Sequence, residues 1–167
     1  MIASEKMVWA LVVFALATGP GPVAEESGLA AFGELVVGEW QAEDSRHTFE
    51  WGVGRRVVRT KSYFKTEGTW ELVSEGMWFW DDAEKTIRGV AVATGMPIEL
   101  FEYHSRVQGD QVVHDLVAHG TMGGIYEERW RFADGEYRWA LKDPTEGKEI
   151  MNGSYRRVDR GTPDGGP

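Results

Sequence analysis

Two side chains in the second half of the chain have the types and spacing for acid–base chemistry. His114 lies in a run, residues 112–118, whose apolar positions are Val112, Leu116 and Ala118. Side chains alternate across a strand with a period of two, so His114 is carried to that same apolar face. Glu128 shares a face with Tyr126, Trp130 and Phe132, while Glu127, Arg129 and Arg131 share the other. The aromatic face is the one that turns inward, and Glu128 goes with it. His47 falls on the side of Phe49 and Trp51. A carboxylate and an imidazole in apolar surroundings can pass a proton when their pKa values are tuned toward neutral. With His47 they also make a two-histidine, one-carboxylate set, a combination that suits iron. The plainer reading is a polar core pair that satisfies itself, or a barrel mouth open to water. His119 lies five residues beyond His114, on the opposite face, so the two are not a metal clasp, and no metal site is expected.

The same alternation supplies the surroundings of these groups. Phe101, Tyr103 and Val107 share one face of their run. Val58, Thr60, Ser62 and Phe64 share another, with Arg56 at its start, and Tyr137, Trp139 and Leu141 face Met151 and Tyr155. The expected lumen is aromatic with a few polar groups, which is how a small-molecule site is built. Its candidate ligand-binding residues are His114, Glu128, Tyr103, Tyr126, Trp130, Trp51, His47 and Arg56. No Gly-x-Ser-x-Gly nucleophile elbow and no complete phosphate loop is present.

What must position these residues is a series of short strands. Alternating runs at residues 36–42, 48–51, 55–64, 69–74, 77–80, 86–93, 98–107, 112–119, 124–132, 136–142 and 149–158 are separated by turn signals about every ten residues. The connectors, such as Ala133-Asp134-Gly135 and Gln108-Gly109-Asp110, suit tight hairpins. Only residues 28–35 read as a short helix, and there is no βαβ alternation. The expected fold class is all-β: an antiparallel up-and-down β-barrel of about ten short strands, with at most a short N-terminal helix. Closing the barrel removes the sheet edges.

Composition narrows the function classes. With 42% apolar residues in 167, the chain can bury a core. The absence of Cys excludes a disulfide scaffold and thiol chemistry, and a net charge of −9 argues against nucleic acid as a partner. Eleven apolar residues from Met7 to Ala17, ending in Ala15-Leu16-Ala17, fit the core and cleavage site of a secretory signal peptide and are too short to span a bilayer. The expected organisation is a signal peptide at 1–17 (cleavage as late as 24), a linker and short lead-in at 18–34, a barrel domain at 35–158 and a disordered tail at 159–167. The protein is expected to be secreted or periplasmic, with no stable membrane span after leader removal.

One cluster of residues resembles a known superfamily. Gly38-Glu39-Trp40 opens the first strand and Tyr155-Arg156-Arg157 closes the last. This resembles the calycin pattern and, with the leader and the Trp-rich hairpins, the bacterial lipocalin-like domains of unknown function. The resemblance implies that Trp40 plugs one end of the barrel beneath a basic group, Arg157 by alternation with Tyr155 or otherwise Arg156. A haem-binding branch of the calycins, similar to nitrobindin, uses a late His as iron ligand. Here the last His is His119, so haem is not expected and no cofactor is assigned.

Three functions remain in view. The first is an exported protein holding a small apolar or amphipathic ligand inside the barrel. The second is an enzyme of isomerase, cyclase or hydratase type using the His114/Glu128 pair. The third is a structural or interaction module whose barrel is filled by its own side chains. A lumen of several hundred Å³ would separate the first two from the third.

Overall fold

The computed structural model describes residues 28–158, so the leader, most of the linker and the tail lie outside the described residues. A single helix, α1 (Gly28–Val36), leads into ten strands: β1 (Gly38–Gln41), β2 (Ser45–Trp51), β3 (Val57–Thr66), β4 (Thr69–Asp81), β5 (Thr86–Ala93), β6 (Ile98–Gln108), β7 (Gln111–Gly120), β8 (Gly124–Ala133), β9 (Glu136–Lys142) and β10 (Glu149–Arg157). Each strand pairs antiparallel with its chain neighbours, and β1 pairs with β10 to close the barrel. Every described strand thus has two hydrogen-bonded neighbours, which removes the edges that an open sheet would expose.

The eleven expected runs become ten strands because 69–74 and 77–80 join into the single long β4. Gly76 between them pairs with Thr60 and Ala91 in unbroken register and does not turn the chain. The break that does occur is a register shift in the β3–β4 ladder, where Tyr63 pairs with Leu72 while Ser62 pairs with Ser74. The extra residue, Val73, reaches the lumen wall. At the β8–β9 connection Asp134 and Gly135 both have positive φ, 51° and 73°, the two-residue turn that matches strand twist.

α1 caps one end of the barrel. Leu29, Phe32 and Val36 recur at three- and four-residue spacing and are fully buried. Phe32 enters the barrel far enough to pack against Trp78 and Trp130, with ring centroids 5.7 and 6.4 Å away. The helix lies so close to Trp51 that a Cβ at Gly33 would stand 2.0 Å from the indole, so only glycine fits there. Val36 ends the helix, buried, and strand geometry starts two residues later than the sequence pattern suggests. No described helix is long and apolar enough to cross a membrane.

Candidate functional site

The inward faces of the strands line a cavity of about 420 Å³. Its floor is aromatic. Trp78, Trp130 and Phe49 pack ring against ring at 5.7–6.1 Å, with Phe32 of the capping helix beneath. Its mouth is at the other end, where Met96 and Pro97 from the β5–β6 loop, Met122 from the β7–β8 loop, and Phe64, Ile150 and Met151 from strand ends come together. Phe64, Met122 and Met151 are well exposed there, which gives the entrance an apolar rim.

Most of the residues expected to face inward do so. Tyr103, Tyr126, Glu128, Trp130 and His47 all line the cavity. Three do not. Arg56 is exposed beside a 3-10 turn, Val53–Arg55, because the β2–β3 connection is still turning at that position and alternation has not begun. Trp51 lies at the capped end, between Gly33 and the guanidinium of Arg55, which stands 4.6 Å from its ring. His114 faces inward as expected but is completely buried beneath the cavity wall.

His114 and Glu128 are direct cross-strand partners, and on the other side His114 is opposite Ser105. The imidazole takes up with the serine: His114 Nδ1 and Ser105 Oγ are 2.7 Å apart. Its Nε2 has no hydrogen-bond partner, and its ring stands edge-on to Trp130 at 4.3 Å. Burial, helped by the nearby positive charge of Arg106, lowers its pKa to about 3. It is a neutral imidazole locked in the wall, with no bond to the carboxylate.

The polar groups that converge on the lumen are a different set. Glu128 is joined by His47, Tyr137 and Tyr155, which approach from β2, β9 and β10. Tyr137 Oη and His47 Nδ1 are 2.5 Å apart. Ser45 Oγ donates to Tyr155 Oη at 3.0 Å. The Tyr155 ring stacks on Tyr137 at 4.9 Å and lies tilted against His47 at 4.4 Å. Burial lowers the His47 pKa to about 4 and raises both tyrosines, with the Glu128 charge adding to the rise. Burial also raises Glu128 to about 7, although the Trp130 indole N–H beside it draws it partly back.

Tyr137, Thr60 and Ser62 line the cavity beyond the residues singled out from sequence. Their positions were visible in the alternation of their strands; what was missing was the pairing that brings Tyr137 to His47. Met96, Pro97 and Met122 sit in loops, where no period marks an inward side chain. Among the described residues no three His, Asp or Glu side chains gather as metal ligands, and His47, His114 and Glu128 do not form the set their types allowed.

No protein-family model and no curated protein sequence matches the chain.

Proposed function

We propose that this protein binds one small, mainly apolar ligand inside the barrel. The observation that carries the reading is the 420 Å³ cavity, apolar over most of its wall, with four hydrogen-bonding side chains converging on one region. Binding sites for small molecules span roughly 300–1,000 Å³ and combine apolar walls with a few placed polar groups. A barrel that serves only as a packed module fills its interior with side chains, and this one leaves room. The enzymatic alternative built on His114 and Glu128 loses support, because His114 offers no atom to the lumen.

Kinship with the calycins is part of the proposal. It is supported by the closed antiparallel barrel and by Arg157 lying over Trp40 at the start of the first strand. Export is part of it too, supported by the apolar run from Met7 to Ala17. N-terminal sequencing of protein produced with its leader in a secreting host is expected to give a chain starting at Thr18 or, less readily, Glu25. An intact Met1 on exported material would end that part of the reading.

The binding itself is tested by tryptophan fluorescence. Trp78, Trp130 and Trp139 line the cavity, so a ligand seated there shifts or quenches their emission. The mature protein is titrated with fatty acids, isoprenoids, flavonoids and haem. Saturable binding that is weakened by Glu128→Ala or Tyr137→Phe, and unaffected in site by His114→Asn, is the expected outcome. Absence of binding below millimolar across the panel refutes the reading.

A further inference from the structure

Among the described residues the cavity wall contains one carboxylate and no lysine or arginine. Glu128 lines the lumen from β8, and among the described residues it makes no ion pair. The basic side chains near it lie on the outer face: Arg129 holds Glu127 at 2.7 Å, Arg106 holds Asp115 at 2.6 Å, and Lys142 of β9 pairs in register with Glu127, not with Glu128. The other titratable groups facing Glu128 bring it no positive charge. His47 on β2 and His114 on β7 are neutral above pH 5, and Tyr103 on β6, Tyr137 on β9 and Tyr155 on β10 hold their protons. From β3, β4 and β5 the cavity is lined by Thr60, Ser62, Phe64, Val73, Ser74, Trp78 and Ala91, which carry no charge.

A carboxylate in such surroundings is costly when ionised, and a cation beside it offsets that cost. The aromatic walls add to the asymmetry. Indole and phenol faces carry negative charge density that attracts an organic cation and disfavours an anion. We propose that the cavity takes an amphipathic amine, with its ammonium group at Glu128 and its apolar body against the Trp and Tyr walls. This rests on the ligand-binding reading above and adds the charge of the head group.

The test compares three probes that share one tail and differ in the head: decylamine, 1-decanol and decanoate. Binding is followed by tryptophan emission. At pH 7.5 decylamine is expected to bind at least about tenfold more tightly than decanol, and decanoate most weakly. Glu128 titrates near pH 7 while the alkylammonium remains protonated, so decylamine affinity rises between pH 6 and 8 and decanol affinity stays level. Glu128→Gln removes the amine preference and leaves decanol binding in place. The pH dependence is read on the wild-type protein, so it holds even where the variant folds poorly. Equal binding of all three probes, a preference for decanoate, or an amine preference that survives Glu128→Gln overturns the head-group assignment and leaves the ligand-binding reading standing. Failure of all three probes to bind overturns both.

Discussion

The guanidinium of Arg157 lies 5.2 Å from the centre of the Trp40 ring and donates from Nη2 to the Val37 carbonyl at 2.7 Å. The two residues are also paired across the β1–β10 seam, so one contact closes the barrel and ties the strand to the helix end. Trp40 Nε1 in turn donates to the Val36 carbonyl at 2.7 Å. Gly38 has φ of 146°, and a Cβ there would come within 3.2 Å of the Arg157 side chain. The Gly-x-Trp pair thus serves one contact: the glycine clears the path that the arginine takes over the ring.

Trp40→Ala is expected to cost about 3–5 kcal/mol, the usual range for a buried Trp, because it empties a space walled by Phe132 and Tyr137. Arg157→Ala, which loses a partly solvated bond, is expected to cost about 1 kcal/mol. Urea midpoints measure both. A midpoint unmoved by Trp40→Ala would show that the seam does not depend on this residue.

Gly33→Ala places a methyl against the Trp51 indole, so the helix must lift from the end of the barrel. A loss of about 1–3 kcal/mol is expected, with Trp51 emission shifting to the red as water enters. Equilibrium unfolding together with fluorescence spectra checks this. An unchanged spectrum at unchanged stability would mean that the helix packs elsewhere.

Stability should fall in acid. His114 has a folded pKa of about 3 against 6.5 when unfolded, so below pH 6.5 the unfolded chain binds a proton that the folded chain refuses. Its contribution is complete above pH 6.5 and is lost at about 1.4 kcal/mol per pH unit on the way down. His47, lowered to about 4, acts in the same direction. Urea midpoints between pH 4.5 and 8 are expected to climb up to pH 6.5, with a shallower climb in His114→Asn. Parallel curves for the two proteins would contradict the assignment.

Glu128 runs the other way. Its folded pKa of about 7 lies above the unfolded 4.5, so the folded state holds a proton that the unfolded state has released. Its contribution is present below pH 4.5 and declines as pH rises to 7. Glu128→Gln should therefore gain on the wild type across that window, by an amount on the order of 2 kcal/mol once solvent in the lumen is allowed for. A stability difference that does not change with pH would show that the carboxyl is not held apart from water.

The period-two pattern of Tyr126, Glu128, Trp130 and Phe132, and of Tyr137, Trp139 and Leu141, was enough to assign the inner wall, because the aromatic face of each strand is the one that a closed barrel shields from water. The Asp-Gly and Gly-rich connectors marked the hairpins, and Gly38-x-Trp40 with Arg157 marked the seam. Sequence by itself therefore determined the antiparallel barrel, its inward faces and its closure. It could not decide how deep each inward residue lies. His114 and Tyr103 are both inward, yet one sits behind the wall with Ser105 and the other lines the cavity, since depth depends on the bulk of neighbours such as Trp130 on adjoining strands. Nor could it bring Tyr137 to His47, 90 residues away, because that meeting follows from β2 and β9 lying on either side of β1 and β10. Those contacts, the 420 Å³ cavity and the Glu128 carboxylate facing it belong to the tertiary structure, where strand order and side-chain volume act together.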